Sequence, residues 1–230
     1  MRKEPFPRTF YVANTIELFE RMAFYGMYIG LSLYLTKVIR FDDRATGAVL
    51  GNFRLVSALA PVACGAVADR ITFKRSLAVA FSLYAFGYLA LFFFPSKGLA
   101  LVSLLFIGVA GGFMKPVILG TVARTAPPGR EPEGYAVFYR MVNGGSVIGK
   151  TLAYLVRARI GLAFVMLNSV VQSLVALVLA LFFYEEPERG RAKGATPLGE
   201  TLRGFATAFK NRRFVAFLVI FAGYYFMIEQ

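Results

Sequence analysis

The chain has 230 residues, of which 57% are hydrophobic and only 17% charged, with a net charge of +13 and a mean hydropathy of +0.60. That much apolar surface is more than a soluble core of this size can bury, so the chain reads as a polytopic, all-α membrane protein. Its one cysteine, Cys64, excludes an intramolecular disulfide framework, and the absence of histidine removes imidazole as proton relay, metal ligand or catalytic base.

A 19-residue window places seven apolar spans near 10–38, 46–68, 76–94, 99–123, 134–156, 161–184 and 214–230. The first nine residues are basic and contain proline, with no small-residue cleavage site after them, so the first span is expected to act as its own signal anchor. That span carries Glu17, Glu20 and Arg21 near its middle. Ionisable side chains inside a bilayer cost roughly 2.5–3.5 kcal/mol each on insertion scales, so three within five residues are not lipid-facing decoration. At about 100° per residue, Asn14, Glu17, Arg21, Tyr25 and Tyr28 fall along one stripe, which must face protein or a water-filled cavity. Arg54 is a charge within the second span, Lys115 within the fourth, and Arg140 and Lys150 within the fifth.

Glu17 lies about 10 Å from the start of its span, and Lys115, on a span running the other way, about 12 Å from its end. The two charges share a depth and can pair across helices. In the fifth span Arg140, Asn143, Val147 and Lys150 share a face. For Arg140 the alternatives are this face or snorkelling to the surface; for Lys150 they are lining a cavity or snorkelling outward. The glycines at 108, 111, 112, 144, 145 and 149 read as close-packing devices between helices, not as nucleotide loops. Tyrosine and phenylalanine stripes read chiefly as lipid or helix contacts, Tyr25 and Tyr28 excepted.

Loops between spans hold the remaining basic residues. One side of the membrane collects 15 Lys and Arg and the other 6, which puts the N-terminus and the 185–213 loop in the cytoplasm; the expected location is the plasma membrane. The basic excess is thus an orientation signal, and no nucleic-acid partner is expected. Within that loop a linker precedes a short amphipathic helix from Thr196, with Leu198, Leu202, Phe205 and Phe209 on its apolar face. The expected domains are a six-helix transmembrane bundle over 1–184, this linker over 185–213, and over 214–230 the first helix of a second bundle, on which the chain looks cut off.

Four local patterns carry a family resemblance. Glu17-Leu-Phe-Glu20-Arg21-Met-Ala-Phe24-Tyr25-Gly26 resembles the E-x-x-E-R-F-x-Y-Y-G signature of the proton-dependent oligopeptide transporters, within the major facilitator superfamily. Gly65-Ala-Val-Ala-Asp69-Arg70 with Lys74-Arg75 resembles the superfamily's loop after the second span, with Thr72 where glycine is usual. Gly111-Gly112-Phe-Met-Lys115-Pro116 and Phe138-Tyr139-Arg-Met-Val-Asn143-Gly-Gly145-Ser146 resemble elements of the peptide transporters' fourth and fifth spans. The resemblance implies a six-helix N-terminal bundle built as a 3+3 inverted repeat. It implies proton coupling through Glu17, Glu20, Arg21 and Lys115, and a pocket role for Tyr25. Asp69, with Arg70 and Arg75, would form a conformational latch at a helix end.

Departures from the pattern bear on the cargo. Tyr28 stands where many peptide transporters have an arginine, Phe53 replaces a pocket tyrosine, Arg54 is an added charge, and Lys150 replaces a proline. Tyr25, Tyr28, Arg54, Asn143 and Lys150 are the candidate substrate residues. The expected function is proton-coupled symport of peptides or another small, carboxylate-bearing solute, with the lipid bilayer, protons and a second six-helix half or second copy as partners. The alternative is a non-transporting remnant or accessory protein of the same fold. No enzyme, metal or cofactor is expected, for want of a metal-ligand cluster, nucleophile elbow or phosphate loop.

Overall fold

The computed structural model describes residues 4–187, 207 and 209–228, the side chains of 69 and 224–228 excepted. Among the described residues there are seven helices: α1 (Arg8–Lys37), α2 (Asp43–Ile71), α3 (Phe73–Phe93), α4 (Lys97–Thr125), α5 (Glu131–Arg159), α6 (Phe164–Phe182) and α7 (Arg212–Ile228). Each expected span contains one of them. All but α6 begin two or three residues before the hydropathy window, and α2, α4 and α5 also end beyond it, because polar residues at the ends carry the helix past its apolar stretch. Asp42 accepts the Ala45 N–H at 2.7 Å to start α2, and Ser96 accepts the Leu99 N–H at 3.4 Å to start α4. Four helices are long and apolar enough to cross a membrane on composition alone: α2, α3, α4 and α6. α1 and α5 carry the ionisable residues that lower their hydropathy. The expected amphipathic helix from Thr196 lies outside the described residues.

The chain divides into two compact units, Met1–Ala192 and Lys193–Gln230. The first contains α1–α6. α1 packs on α5 and α6, α4 packs on α2 and α3, and α3 packs on α6. Exchanging α1–α3 with α4–α6 maps this set of contacts onto itself, as an inverted repeat requires. The apolar part of the core includes Phe10, Met27, Leu31, Phe81, Ile107 and Met114, all fully buried. Large apolar side chains such as Leu101, Leu105, Val171 and Phe182 stay exposed on the outside, where lipid takes the place of a core. The second unit contains α7, on which Phe217 and Phe221 stack at 5.7 Å.

Two crossings are unusually close. A Cβ on Gly149 of α5 would sit 2.3 Å from the Met22 carbonyl oxygen of α1, and one on Gly112 of α4 would sit 2.6 Å from Ala60 Cβ of α2. Only a glycine lets backbones approach to this distance, the general device by which membrane helices gain packing when lipid removes the hydrophobic drive.

At the end of the bundle that holds the N-terminus of α1, Thr72 separates α2 from α3 with φ 86° and ψ 149°. This region is essentially reserved for glycine, which explains why glycine is usual at the position. Local hydrogen bonds hold the strained residue. The Phe73 and Lys74 N–H groups donate to the Glu186 carboxylate at 2.9 and 3.1 Å, and the Ser76 hydroxyl donates to the Thr72 carbonyl at 2.8 Å. Glu186, just past α6, thereby neutralises the positive end of the α3 dipole. Nearby, the Tyr184 and Thr121 hydroxyls bond at 2.6 Å, and the Arg124 guanidinium lies 4.2 Å from the Phe73 ring centroid.

Candidate functional site

The expected polar stripe of α1 faces into the bundle. Asn14, Glu17, Glu20 and Arg21 are all buried, the two glutamates at 3% and 1% exposure, deep enough that neither reaches lipid or bulk water. Arg21 Nε lies 3.2 Å from Glu17 Oε1, one helical turn away, and donates to Glu20 Oε2. One guanidinium therefore serves both carboxylates. The glutamates are separated by about 60° around the helix, and Arg21 is long enough to bridge that arc.

Tyr84 of α3 completes the cluster. Its hydroxyl donates to Glu20 Oε1 at 2.5 Å, and Tyr88, one turn on, stacks on it at 5.8 Å. The Tyr84 hydroxyl fits because Gly111 of α4 has no side chain; a Cβ there would lie 3.0 Å from it. Sequence reasoning grouped the tyrosines of this span with lipid and helix contacts, and Tyr84 is the correction. The available signal was the pair Tyr84 and Tyr88 one turn apart in an otherwise apolar span, since a buried phenol seeks a partner.

Lys115 is placed differently from the expected direct pair. It is exposed on α4, and among the described residues no carboxylate oxygen lies within 4.0 Å of it; its charge reaches Glu17 through space. Arg21 takes the direct partnership because it shares a helix with both glutamates, one turn from Glu17 and next to Glu20 in sequence, whereas Lys115 must reach across from another helix.

The candidate substrate residues gather around Tyr25 and Tyr28, both half-buried. The Lys150 ammonium stands 5.1 Å from the Tyr25 ring centroid, and the Arg21 guanidinium 5.7 Å from the same centroid. Arg54 Nε donates to the Tyr28 hydroxyl at 2.5 Å, with its guanidinium 5.7 Å from that ring. Phe24 stacks on both Tyr28 and Phe53, at 5.7 and 6.1 Å, so an aromatic floor underlies the cations. Phe53 keeps the stacking surface of the tyrosine it replaces, and the hydrogen-bonding hydroxyl comes instead from Tyr28. Asn143 and Arg140 are exposed on α5. The latch residues Arg70 and Arg75 are exposed and make no ion pair among the described residues, while the Asp69 side chain lies outside them. No described cluster of carboxylate or thiol groups could hold a metal ion.

Buried charge on α1, a neighbouring set of cations and a close-packed six-helix frame thus coincide in one bundle. Residues 15–229 match the family described as Major Facilitator Superfamily. The chain belongs to the Major Facilitator Superfamily.

Among superfamily members it is similar to peptide transporters. It is 28% identical over 189 residues to the dipeptide and tripeptide permease B of Shigella dysenteriae, covering 77% of this chain and 36% of that protein. It is 26% identical over 166 residues to peptide transporter family 1 of Drosophila melanogaster, covering 67% of this chain and 22% of that one. Its fold matches a peptide transporter POT solved with sulfate, with a TM-score of 0.76 at 19% identity over 94% of this chain and 46% of the other. It also matches a POT family transporter solved with 5-aminolevulinic acid, with a TM-score of 0.72 at 22% identity over 96% and 47%. The chain therefore spans less than half the length of these relatives. It is a multi-pass membrane protein of a transporter family.

Proposed function

We propose that this bundle is one wall of a proton-coupled symporter for peptides or other small carboxylate-bearing solutes. The observation that carries the reading is the Glu17–Arg21–Glu20–Tyr84 cluster. It places two carboxylates in the interior of a transmembrane helix under a single cation, where gain or loss of one proton changes the charge of the whole group. Tyr25, Tyr28, Arg54, Asn143 and Lys150 would form the solute-facing surface, and Lys115 would tune the cluster from across the cavity. Solved relatives holding sulfate and 5-aminolevulinic acid support an anion-accepting surface in this fold.

In this reading residues 1–184 form the bundle, 185–213 a cytoplasmic linker, and 214–230 the first helix of a second bundle. The N-terminus is cytoplasmic in the plasma membrane, and Asp69, Arg70 and Arg75 form the latch. The other wall comes from a second six-helix half or a second copy. Because the chain covers only 22–47% of the relatives named, a non-transporting accessory protein of the same fold is the second reading.

Proteoliposomes containing the chain, alone and joined to a second six-helix bundle, test both. Labelled dialanine is expected to accumulate when an inward proton gradient is imposed. Glu20→Gln should abolish the gradient-driven component while exchange of internal for external solute continues, since exchange needs binding and helix rocking but no net proton release. Lys115→Ala should also weaken coupling. Gradient-driven uptake unchanged in both variants would reduce the cluster to a structural ion pair, and no uptake in any form favours the accessory reading.

A further inference from the structure

α5 presents Arg140, Asn143, Val147, Lys150, Tyr154 and Arg157 at alternating steps of three and four residues, and all six are exposed. Toward the C-terminal end of the helix this stripe opens into a cleft of about 70 Å³, where Lys150, Tyr154 and Arg157 face Gly26 and Gly30 of α1 and Leu162 beyond α5. Both α1 glycines are packed: a Cβ on Gly26 would lie 3.0 Å from the Gly149 carbonyl oxygen of α5, and one on Gly30 would lie 3.6 Å from Leu162. No carboxylate lines the cleft, and none of the described carboxylates lies within 4.0 Å of Lys150 or Arg157.

Arg157 stands two residues before the end of α5 and reaches the membrane interface with ease. Lys150 does not. It lies nine residues before Arg159, about 13 Å down the helix axis, and its ammonium turns inward over the Tyr25 ring rather than outward. The Arg21 guanidinium addresses the same ring, but Glu17 and Glu20 already take up its charge. Lys150 and Arg157, about 10 Å apart along α5, thus line one small cleft whose other walls are mostly apolar, and Lys150 also reaches the Tyr25 ring of the candidate solute site. Two exposed cations that line one cleft with no carboxylate between them raise a positive potential there, and the group that meets it is an anion.

We infer that this cleft is a subsite for a second carboxylate of the transported solute, with Lys150 and Arg157 as the residues that select a dianion over a monoanion. The inference rests on the transport reading above and specifies its cargo: one carboxylate meets the Arg54–Tyr28 and Tyr25 surface, and the other enters the α5 cleft. The aromatic floor between them accommodates the apolar linker of a dicarboxylate or an acidic dipeptide.

The chain in phosphatidylcholine nanodiscs, titrated calorimetrically with glutarate, butyrate and dialanine, tests this. Glutarate is expected to bind about tenfold more tightly than butyrate, the scale of one added partly exposed ion pair or slightly above. Lys150→Gln and Arg157→Gln should each shrink that preference to about threefold or less. Arg157→Gln sits at an exposed helix end and keeps the test valid if the Lys150 variant folds poorly. Lys97→Gln, a cation on the Phe41 ring outside the cleft, should leave the preference intact.

Equal affinity for glutarate and butyrate, with dialanine uptake retained, overturns the dianion subsite and spares the transport reading. A Lys150- and Arg157-dependent response to phosphatidylglycerol in the nanodisc, with no glutarate preference, assigns the cleft to lipid phosphate and also overturns it. Failure of all three solutes to bind, together with absent uptake, removes both readings.

Discussion

Arg21 is the residue on which the interior of the bundle depends. Two carboxylates share one guanidinium within a span, and each partner keeps the other from the full desolvation penalty. Tyr84 adds a neutral donor to the carboxylate oxygen of Glu20 that Arg21 does not use, so that oxygen is satisfied without a second cation. Tyr84→Phe removes only this hydroxyl. Because the acceptor is buried and charged, the variant is expected to lose about 1.5–3 kcal/mol. Its apparent melting temperature in detergent should fall, whereas Tyr88→Phe, whose ring stacks on Tyr84 without touching a carboxylate oxygen, should fall less. Equal losses in the two variants would show that the Tyr84 hydroxyl is not a partner of Glu20.

Between elements, the α1–α5 crossing sets the position of the charged cluster, since the α1 residues that meet α5 include Leu18, Arg21 and Met22. Gly149→Ala would place a methyl 2.3 Å from the Met22 carbonyl oxygen, a backbone atom that cannot rotate away. The helices must separate, and the cost is expected to be about 1–3 kcal/mol by analogy with overpacked cores. Gly144→Ala is the control on the same helix. Its nearest neighbour is the flexible end of Leu18 at 3.8 Å, so the gain in helix propensity of up to about 1 kcal/mol should make it neutral or stabilising. Thermal unfolding of the two variants side by side measures the difference. Should they behave alike, the close approach is not what holds α1 to α5.

For the whole molecule, the proposed orientation follows from the distribution of 15 and 6 basic residues between the two sides. Single cysteines introduced at Lys193 and at Lys97 in a Cys64→Ser background should report it. An impermeant thiol reagent applied to intact cells is expected to label position 97 and spare position 193 until the membrane is opened. Labelling of position 193 from outside would invert the assignment. Cys64 itself is buried, with its thiol directed at the Val109 carbonyl, so its replacement removes background without disturbing either loop.

Amino-acid order alone determined the class of solvent, the seven apolar spans and the helix that carries the buried charge. Those properties depend on local hydropathy and on the fixed 100° advance per residue, which need no knowledge of neighbours. The motif glycines at 112, 145 and 149 were likewise legible as packing devices, because lipid leaves few other ways to hold helices together. The tertiary structure alone decided that Lys115 stays off the carboxylates, whereas the Glu17–Arg21 pair is in reach on a single helix. Glu17 and Lys115 share a depth, but depth is one coordinate of three, and rotation of α4 leaves Lys115 exposed while Arg21 closes on both glutamates. The partners of Tyr84 and Glu186 were invisible for the same reason: they lie 64 and 112–113 residues away in sequence, at contacts that exist only after the helices have packed.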